Sequence, residues 1–274
     1  MIEVAPRESK GGFALQGGHP KVALARAVLA ACLLAAAAAR AFDESGDGEH
    51  GAVPAKAEAI AFKFTPTVYY TTNQPWAYDV NLRGNLGPHT AWVGYYDQPT
   101  QFQQARVGYE YAFSLPIGRA VLGAQYASQG FLGGAIAAEL GGSVYGLIGW
   151  SRTNLKPYFN LNFDPNDAIL FGVGARLTWQ ATTLSLFQIR DDRLNTGQQV
   201  THLVARTRPT EKTRWSVDLF YKSGHPEADS PVWVSATGIG VTYDFEPWFA
   251  RVTWDPHVNF TPNDMLRIAF GFRF

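Results

Sequence analysis

The chain has 274 residues, with 23 Lys and Arg against 23 Asp and Glu, so its formal net charge is zero and it presents no broad field for nucleic acid. Aromatic residues make up 14% and charged residues only 17%, which is too apolar for a disordered chain. The single cysteine, Cys32, excludes an intramolecular disulfide framework and a zinc site built on several thiolates.

The first element in chain order reads as an address. Lys21 and Arg26 precede an apolar run of alanine and leucine over 27–39, and Ala39-Arg40-Ala41 follows with small residues at the positions a signal peptidase reads. The pattern predicts a cleavable signal over 1–41, cut after Ala41, with its first residues possessing no signal character, and a flexible segment over 42–57. Leu29-Ala30-Ala31-Cys32 resembles a lipobox, but the apolar core runs on past Cys32 instead of giving way to a polar tether. No later stretch is long and apolar enough for a membrane helix.

From about residue 58 onward the period is two. Ala105, Val107, Tyr109, Tyr111 and Phe113 fall on one face, and Arg106, Gly108 and Glu110 on the other. Trp215, Val217 and Leu219 oppose Arg214, Ser216 and Asp218 in the same way. Turn signals divide the rest into strands near 60–71, 76–84, 89–97, 102–114, 119–128, 131–140, 143–153, 167–179, 182–192, 198–207, 213–222, 232–244, 248–255 and 264–274. Most are close to the ~10 residues a tilted strand needs to cross a bilayer. The tryptophans Trp76, Trp92, Trp150, Trp179, Trp215, Trp233, Trp248 and Trp254 all fall at or near strand ends, where an aromatic girdle would meet the membrane–water interface. Short connections such as Leu86-Gly87-Pro88, Gly141-Gly142 and Glu246-Pro247 alternate with longer ones over 154–166, 223–231 and 256–263.

The last segment alternates Leu266, Ile268, Phe270, Phe272 and Phe274 with Arg267, Ala269, Gly271 and Arg273. In this it resembles the closing strand of Gram-negative outer-membrane β-barrel proteins, an aromatic row ending in phenylalanine. The resemblance covers about residues 58–274 and is porin-like. It implies an all-β, antiparallel, up-and-down transmembrane barrel of about 14 strands, with 12 or 16 as alternatives. It also implies that Leu266, Ile268, Phe270, Phe272 and Phe274 form an insertion signal read by the barrel-assembly machinery. Outer-membrane lipid and lipopolysaccharide would surround the barrel, with terse turns on the periplasmic side and long loops outside.

On this parity Lys63, Asp79, Arg83, Arg106, Glu110, Glu139, Arg176, Arg214, Asp218, Lys222, Asp244, Arg251, Arg267 and Arg273 line the lumen, with Asp255 and His202 on the same face. Inward glycines Gly108, Gly172, Gly174 and Gly271 thin the wall, and no loop has the length of a large plug, so the expectation is a wet channel. The expected function is passive passage of small polar or anionic solutes across the outer membrane, with no cofactor, metal or nucleic acid involved. An outer-membrane hydrolase and a purely structural or surface-recognition barrel are the alternatives.

Two further motifs stand out. Asn162–Asp167 and Asn259–Asp264 both read Asn-Phe-x-Pro-Asn-Asp, and the same offset aligns Gly174 with Gly271 and Arg176 with Arg273. These are turn residues, and a repeated turn outweighs a cation or lipopolysaccharide contact through Asp164, Asp167 and Asp264. Asp255-Pro256-His257 has the Asp-x-His spacing of omptin-type outer-membrane proteases, but the acidic pair Asp191-Asp192 is adjacent where theirs is Asp-x-Asp, so no catalytic residue is assigned. Asp191, Asp192 and Asn195 also lack the spacing of a calcium loop.

Overall fold

A computed structural model describes residues 60–154, 156, 158, 159 and 165–274. The expected signal over 1–41, the segment over 42–57 and the first half of the first Asn-Phe-x-Pro-Asn-Asp motif, 162–164 with the candidate Asp164, lie outside the described residues. Fourteen strands follow in chain order: β1 (Ala61–Thr71), β2 (Ala77–Leu86), β3 (His89–Gln98), β4 (Phe102–Leu115), β5 (Gly118–Ala127), β6 (Phe131–Gly141), β7 (Val144–Thr153), β8 (Ala168–Arg176), β9 (Thr183–Asp191), β10 (Gln199–Thr210), β11 (Thr213–Gly224), β12 (Val234–Phe245), β13 (Trp248–Asp255) and β14 (Met265–Arg273). Each pairs antiparallel with its sequence neighbours, and β14 returns to β1, closing the barrel. The alternative strand numbers of 12 and 16 are thereby excluded.

The largest departures from the expected boundaries, three residues each, are at the ends of β8 and β10. β8 stops at Arg176 because Gln180 and Ala181 adopt left-handed backbone (φ 48° and 45°) in a short 3-10 turn, which an alternating apolar pattern does not foretell. β10 runs on to Thr210 through an irregularity between Thr207 and Thr210, where the ladder with β11 shifts register.

Period two sets the two faces of the wall. Val107, Tyr109, Leu122, Tyr126, Ile148, Phe171, Val173, Leu186, Leu203, Leu219, Ile268 and Phe270 all expose more than a third of their surface outward. A continuous apolar outside of this extent is the mark of a barrel in hydrocarbon, where only a closed ladder leaves no backbone N–H or C=O unpaired. At the turn rim the aromatic belt is contiguous. Trp215 packs on Tyr243 at 4.4 Å, Tyr243 on Phe245 at 5.4 Å, Trp248 on Phe270 at 5.5 Å, and Phe62 on Phe274 at 5.5 Å across the seam. Backbone bonds Phe62 N to Phe274 O (2.8 Å) and Phe274 N to Phe62 O (3.0 Å) close that seam.

Seven of the expected girdle tryptophans, Trp76, Trp150, Trp179, Trp215, Trp233, Trp248 and Trp254, stand outside with 40–66% exposure. Trp92 does not. It shares a parity with Tyr96 and Gln98, lines the lumen, and lies over Gly108 of β4. Its position near a strand end fitted a girdle; its parity places it inside.

The inward glycines also serve a different purpose from the one expected. A Cβ at Gly108 would fall within the Trp92 indole, and one at Gly174 within the Tyr145 ring. Gly238 lies under Phe220, and Gly271 under Phe249. These glycines let an aromatic ring on the neighbouring strand lie flat against the wall, so the ring fills lumen that the missing side chain would have vacated. Gly108→Val should therefore overpack the wall, at a cost of about 1–3 kcal/mol. The expected outcome is a lower urea midpoint for loss of the heat-modifiable folded band on gels. An unchanged midpoint would mean that Trp92 moves off Gly108 without cost.

Candidate functional site: the barrel lumen

The inner face carries ionisable groups, and their pairing decides what the lumen can do. On the β2–β4 wall, Arg106 reaches Asp79 at 2.5 Å, and both side chains are only 3% exposed. β3 lies between the two, and Gly94 at the facing register position leaves room for the guanidinium to cross. Arg83 reaches Glu110 at 2.8 Å across the same strand. Toward the turn rim Glu139 pairs with Arg176 and Arg119, and Asp244 pairs with Arg214 and Arg273. Asp218 is bonded to Nδ1 of His202 at 3.0 Å, and the His202 ring stacks on Phe187 at 4.8 Å. Lys222 and Asp255 form an ion pair near the loop rim, each 1% exposed, and Lys222 also donates to His257 O at 3.2 Å.

All the inward acidic side chains expected from the sequence are thus bonded to a cation or a histidine. Among the described residues, the lumen cations Lys63, Arg251 and Arg206 have no carboxylate partner. Lys63 lies over the Phe249 ring at 4.3 Å, Arg251 donates through Nε to Thr242 Oγ1 at 2.9 Å, and Arg206 faces open space. Arg206 and Arg251 sit on inward positions of their strands yet are exposed, so the surface they expose is that of the lumen. Arg206 was missed in the sequence reading; its alternation with Val204 and His202 in β10 held the signal.

Among the described residues, two cavities with polar linings stand out in the interior. The first, about 350 Å³, is lined by Lys63, Thr65, Asn81, Trp92, Gln125, Arg251 and Arg267 together with the two ion pairs of the β2–β4 wall. The second, about 260 Å³, is lined by Phe187, His202, Arg206, Ser216, Asp218, Arg251 and Arg267. Arg251 and Arg267 border both. Arg251 stands opposite Ala269, and Arg267 opposite Thr253, which makes the two arginines diagonal neighbours on one face.

Toward the loop rim an apolar layer stands on the inner side of the barrel. Tyr69, Tyr96, Val200, Phe220, Val258, Phe260 and Met265 form one buried cluster drawn from strands around the barrel, with Phe159 and Phe102 packed against it. Phe159 comes from the segment between β7 and β8, stacks on Tyr96 at 3.8 Å and meets Tyr69 edge-on at 5.7 Å. Its N–H donates to Gln104 Oε1 at 3.0 Å, and the preceding Tyr158 stacks on Phe131 at 4.1 Å. Val258 and Phe260 come from the turn between β13 and β14. The layer is built without a long loop, by Phe159, Val258 and Phe260 packing against strand residues.

The repeated motif explains how these segments are held. Asp264, the last residue of the second copy, accepts from the His257 N–H at 3.0 Å, and its own N–H donates to Thr72 Oγ1 at 2.9 Å. Asp167, the last residue of the first copy, is fully buried and accepts from the Thr153 N–H, the Thr153 hydroxyl and Arg193. Each terminal Asp ties the entry of its strand to the chain leaving the preceding one, an Asx role that leaves Asp167 with no vacancy for a cation. The protease-like spacing has structural partners as well. Asp255 pairs with Lys222, His257 bonds Thr261 O through Nδ1 at 2.9 Å, and Asp191 caps its own loop by accepting from Arg193, Leu194 and Thr196 N–H groups. Among the described residues no three His, Cys, Asp or Glu side chains are grouped to hold a metal.

Breaking the Lys222–Asp255 pair on one side should leave a buried charge and cost about 3–5 kcal/mol. Lys222→Met is expected to lower the urea midpoint of the folded band strongly, and Lys222→Met with Asp255→Leu should recover much of the loss. A single variant as stable as the parent would mean that the remaining charge reaches water.

No family model and no curated protein matches the chain. Among solved structures, the Acinetobacter baumannii outer membrane protein Omp33 superposes with a TM-score of 0.51 at 11% identity, covering 80% of this chain and 100% of that one. A Rhodopseudomonas blastica porin mutant superposes at 0.44 with 9% identity, over 79% of this chain and 100% of its own. The NanC porin superposes at 0.43 with 10% identity, over 76% and 98%. At 11% identity the likeness to Omp33 is one of fold: this chain is a closed, 14-stranded, antiparallel barrel of the outer-membrane type.

Proposed function

We propose that the barrel is an outer-membrane channel for passive passage of small polar solutes, with a preference for anions. The observation that carries this reading is the surplus of lumen cations. Lys63, Arg206 and Arg251 face the two cavities with no carboxylate partner, while the inward acids are already bonded. Fixed charge in a narrow, low-dielectric wall enriches counter-ions, and salt weakens the enrichment. The apolar layer of Phe159, Val258 and Phe260 is the gate of this channel, and ions pass when it parts. In this reading the chain reaches the outer membrane through the signal over 1–41 and the barrel-assembly machinery, and its longer loops face outside among lipopolysaccharide.

Ion pairing also selects the informative variants. Arg106 would be a poor probe of selectivity, because its loss strands Asp79 in a buried site. In planar bilayers under a salt gradient, Lys63→Gln and Arg251→Gln should each move the reversal potential toward cation preference, more so at low salt. Phe159→Gly with Phe260→Gly should raise open probability or unit conductance. A refolded barrel with no conductance above background, even with both phenylalanines removed, would falsify the channel reading.

Orientation has its own test. In a Cys32→Ser background, Asn259→Cys at the loop rim should label in whole cells with an impermeant maleimide, and Lys212→Cys at the turn rim should not. The reverse pattern would turn the barrel over.

A further inference from the structure

The two walls of the first cavity differ in chemistry. On the β2–β4 side Arg83 and Arg106 are neutralised by Glu110 and Asp79, so that wall offers hydrogen bonds and not charge. Asn81 of β2 and Gln125 of β5 line the same cavity as Trp92, whose indole lies over Gly108. On the β1–β13 side stand Lys63 and Arg251, neither with a carboxylate partner. Thr242 anchors the Arg251 Nε, which fixes the guanidinium and leaves its terminal Nη groups for another acceptor. A guanidinium fork matches a carboxylate geometrically, and an ammonium beside it adds a point charge. The volume, about 350 Å³, is that of a small-molecule site.

We infer that this cavity is a saturable binding site for a small polyhydroxylated carboxylic acid. The carboxylate sits against Lys63 and Arg251. The hydroxylated body lies toward Asn81 and Gln125, with its C–H face on Trp92. An indole face suits such a body because it is apolar without demanding that the adjoining hydroxyls lose their partners. A purely inorganic anion would use the cationic wall and leave the rest of the cavity wet. The inference rests on reading the lumen as a solute path, since a solute must reach the cavity.

The test is isothermal titration of the purified full chain, refolded in detergent, with gluconate, glucose and inorganic phosphate in parallel. Gluconate should bind saturably, and glucose at least tenfold more weakly. Lys63→Gln and Arg251→Gln should each weaken gluconate at least tenfold, whereas Arg119→Gln, which removes an equal charge at the turn rim, should not. Trp92→Leu should weaken gluconate but leave phosphate unchanged, and the heat-modifiable band reports that each variant is folded. Absence of saturable gluconate binding overturns the inference, as does equal binding of gluconate and glucose. Phosphate binding as tight as gluconate overturns the part played by the indole and amide wall. Because binding is read without current, the two readings fail separately. Conductance without saturable binding sinks the site alone, and saturable binding without conductance sinks the channel alone.

Discussion

A sheet that crosses hydrocarbon has no water to satisfy an edge, so the ladder between β1 and β14 is the contact on which everything else depends. Once Phe62 and Phe274 exchange their backbone bonds, every strand has two neighbours and the inside is separated from the lipid. Closure then makes period two absolute. A residue faces either an apolar medium or an enclosed polar one, and a register slip by one would exchange the two along a whole strand.

Enclosure governs the inner face. A charge there is costly unless it is paired or wetted, and the barrel uses both solutions. Asp79–Arg106 and Lys222–Asp255 are dry pairs; Arg206 and Arg251 are exposed to the cavities. Glycine takes part in the same economy of space. Gly94 lets Arg106 cross a strand, and Gly108 lets Trp92 lie flat. The described part of the lumen thus holds both polar cavities and an apolar layer.

The same end of the barrel explains the duplicated motif. Both copies enter a strand from a long connection, and the final Asp carboxylate of each accepts a backbone N–H from the chain leaving the preceding strand, His257 for Asp264 and Thr153 for Asp167. Segments fixed at their bases in this way can carry aromatic side chains inward. Phe260 follows Asn259 within the second motif, and Phe159 lies shortly before the first.

Much of this was legible in the sequence because alternation reports on a local property, the side of the wall a residue faces. That is why the strands, the outward aromatic row of β14 and the inward charges of β4 and β11 could be read directly. Trp92 was misread because interface position and parity gave conflicting signals, and its partner Gly108 lies on the next strand. Which carboxylate meets which cation depends on register between strands, as with Arg106 and Asp79 across Gly94, and no single strand encodes it. The apolar layer was hidden for the same reason: Tyr96, Phe220, Phe260 and Phe159 are far apart in the chain, and only the closed barrel brings them into one layer. Sequence by itself determined a membrane-spanning antiparallel barrel with a charged interior, because period two and composition are local. Tertiary structure decided which charges are paired and where the inner apolar layer forms, because pairing and packing across strands are not.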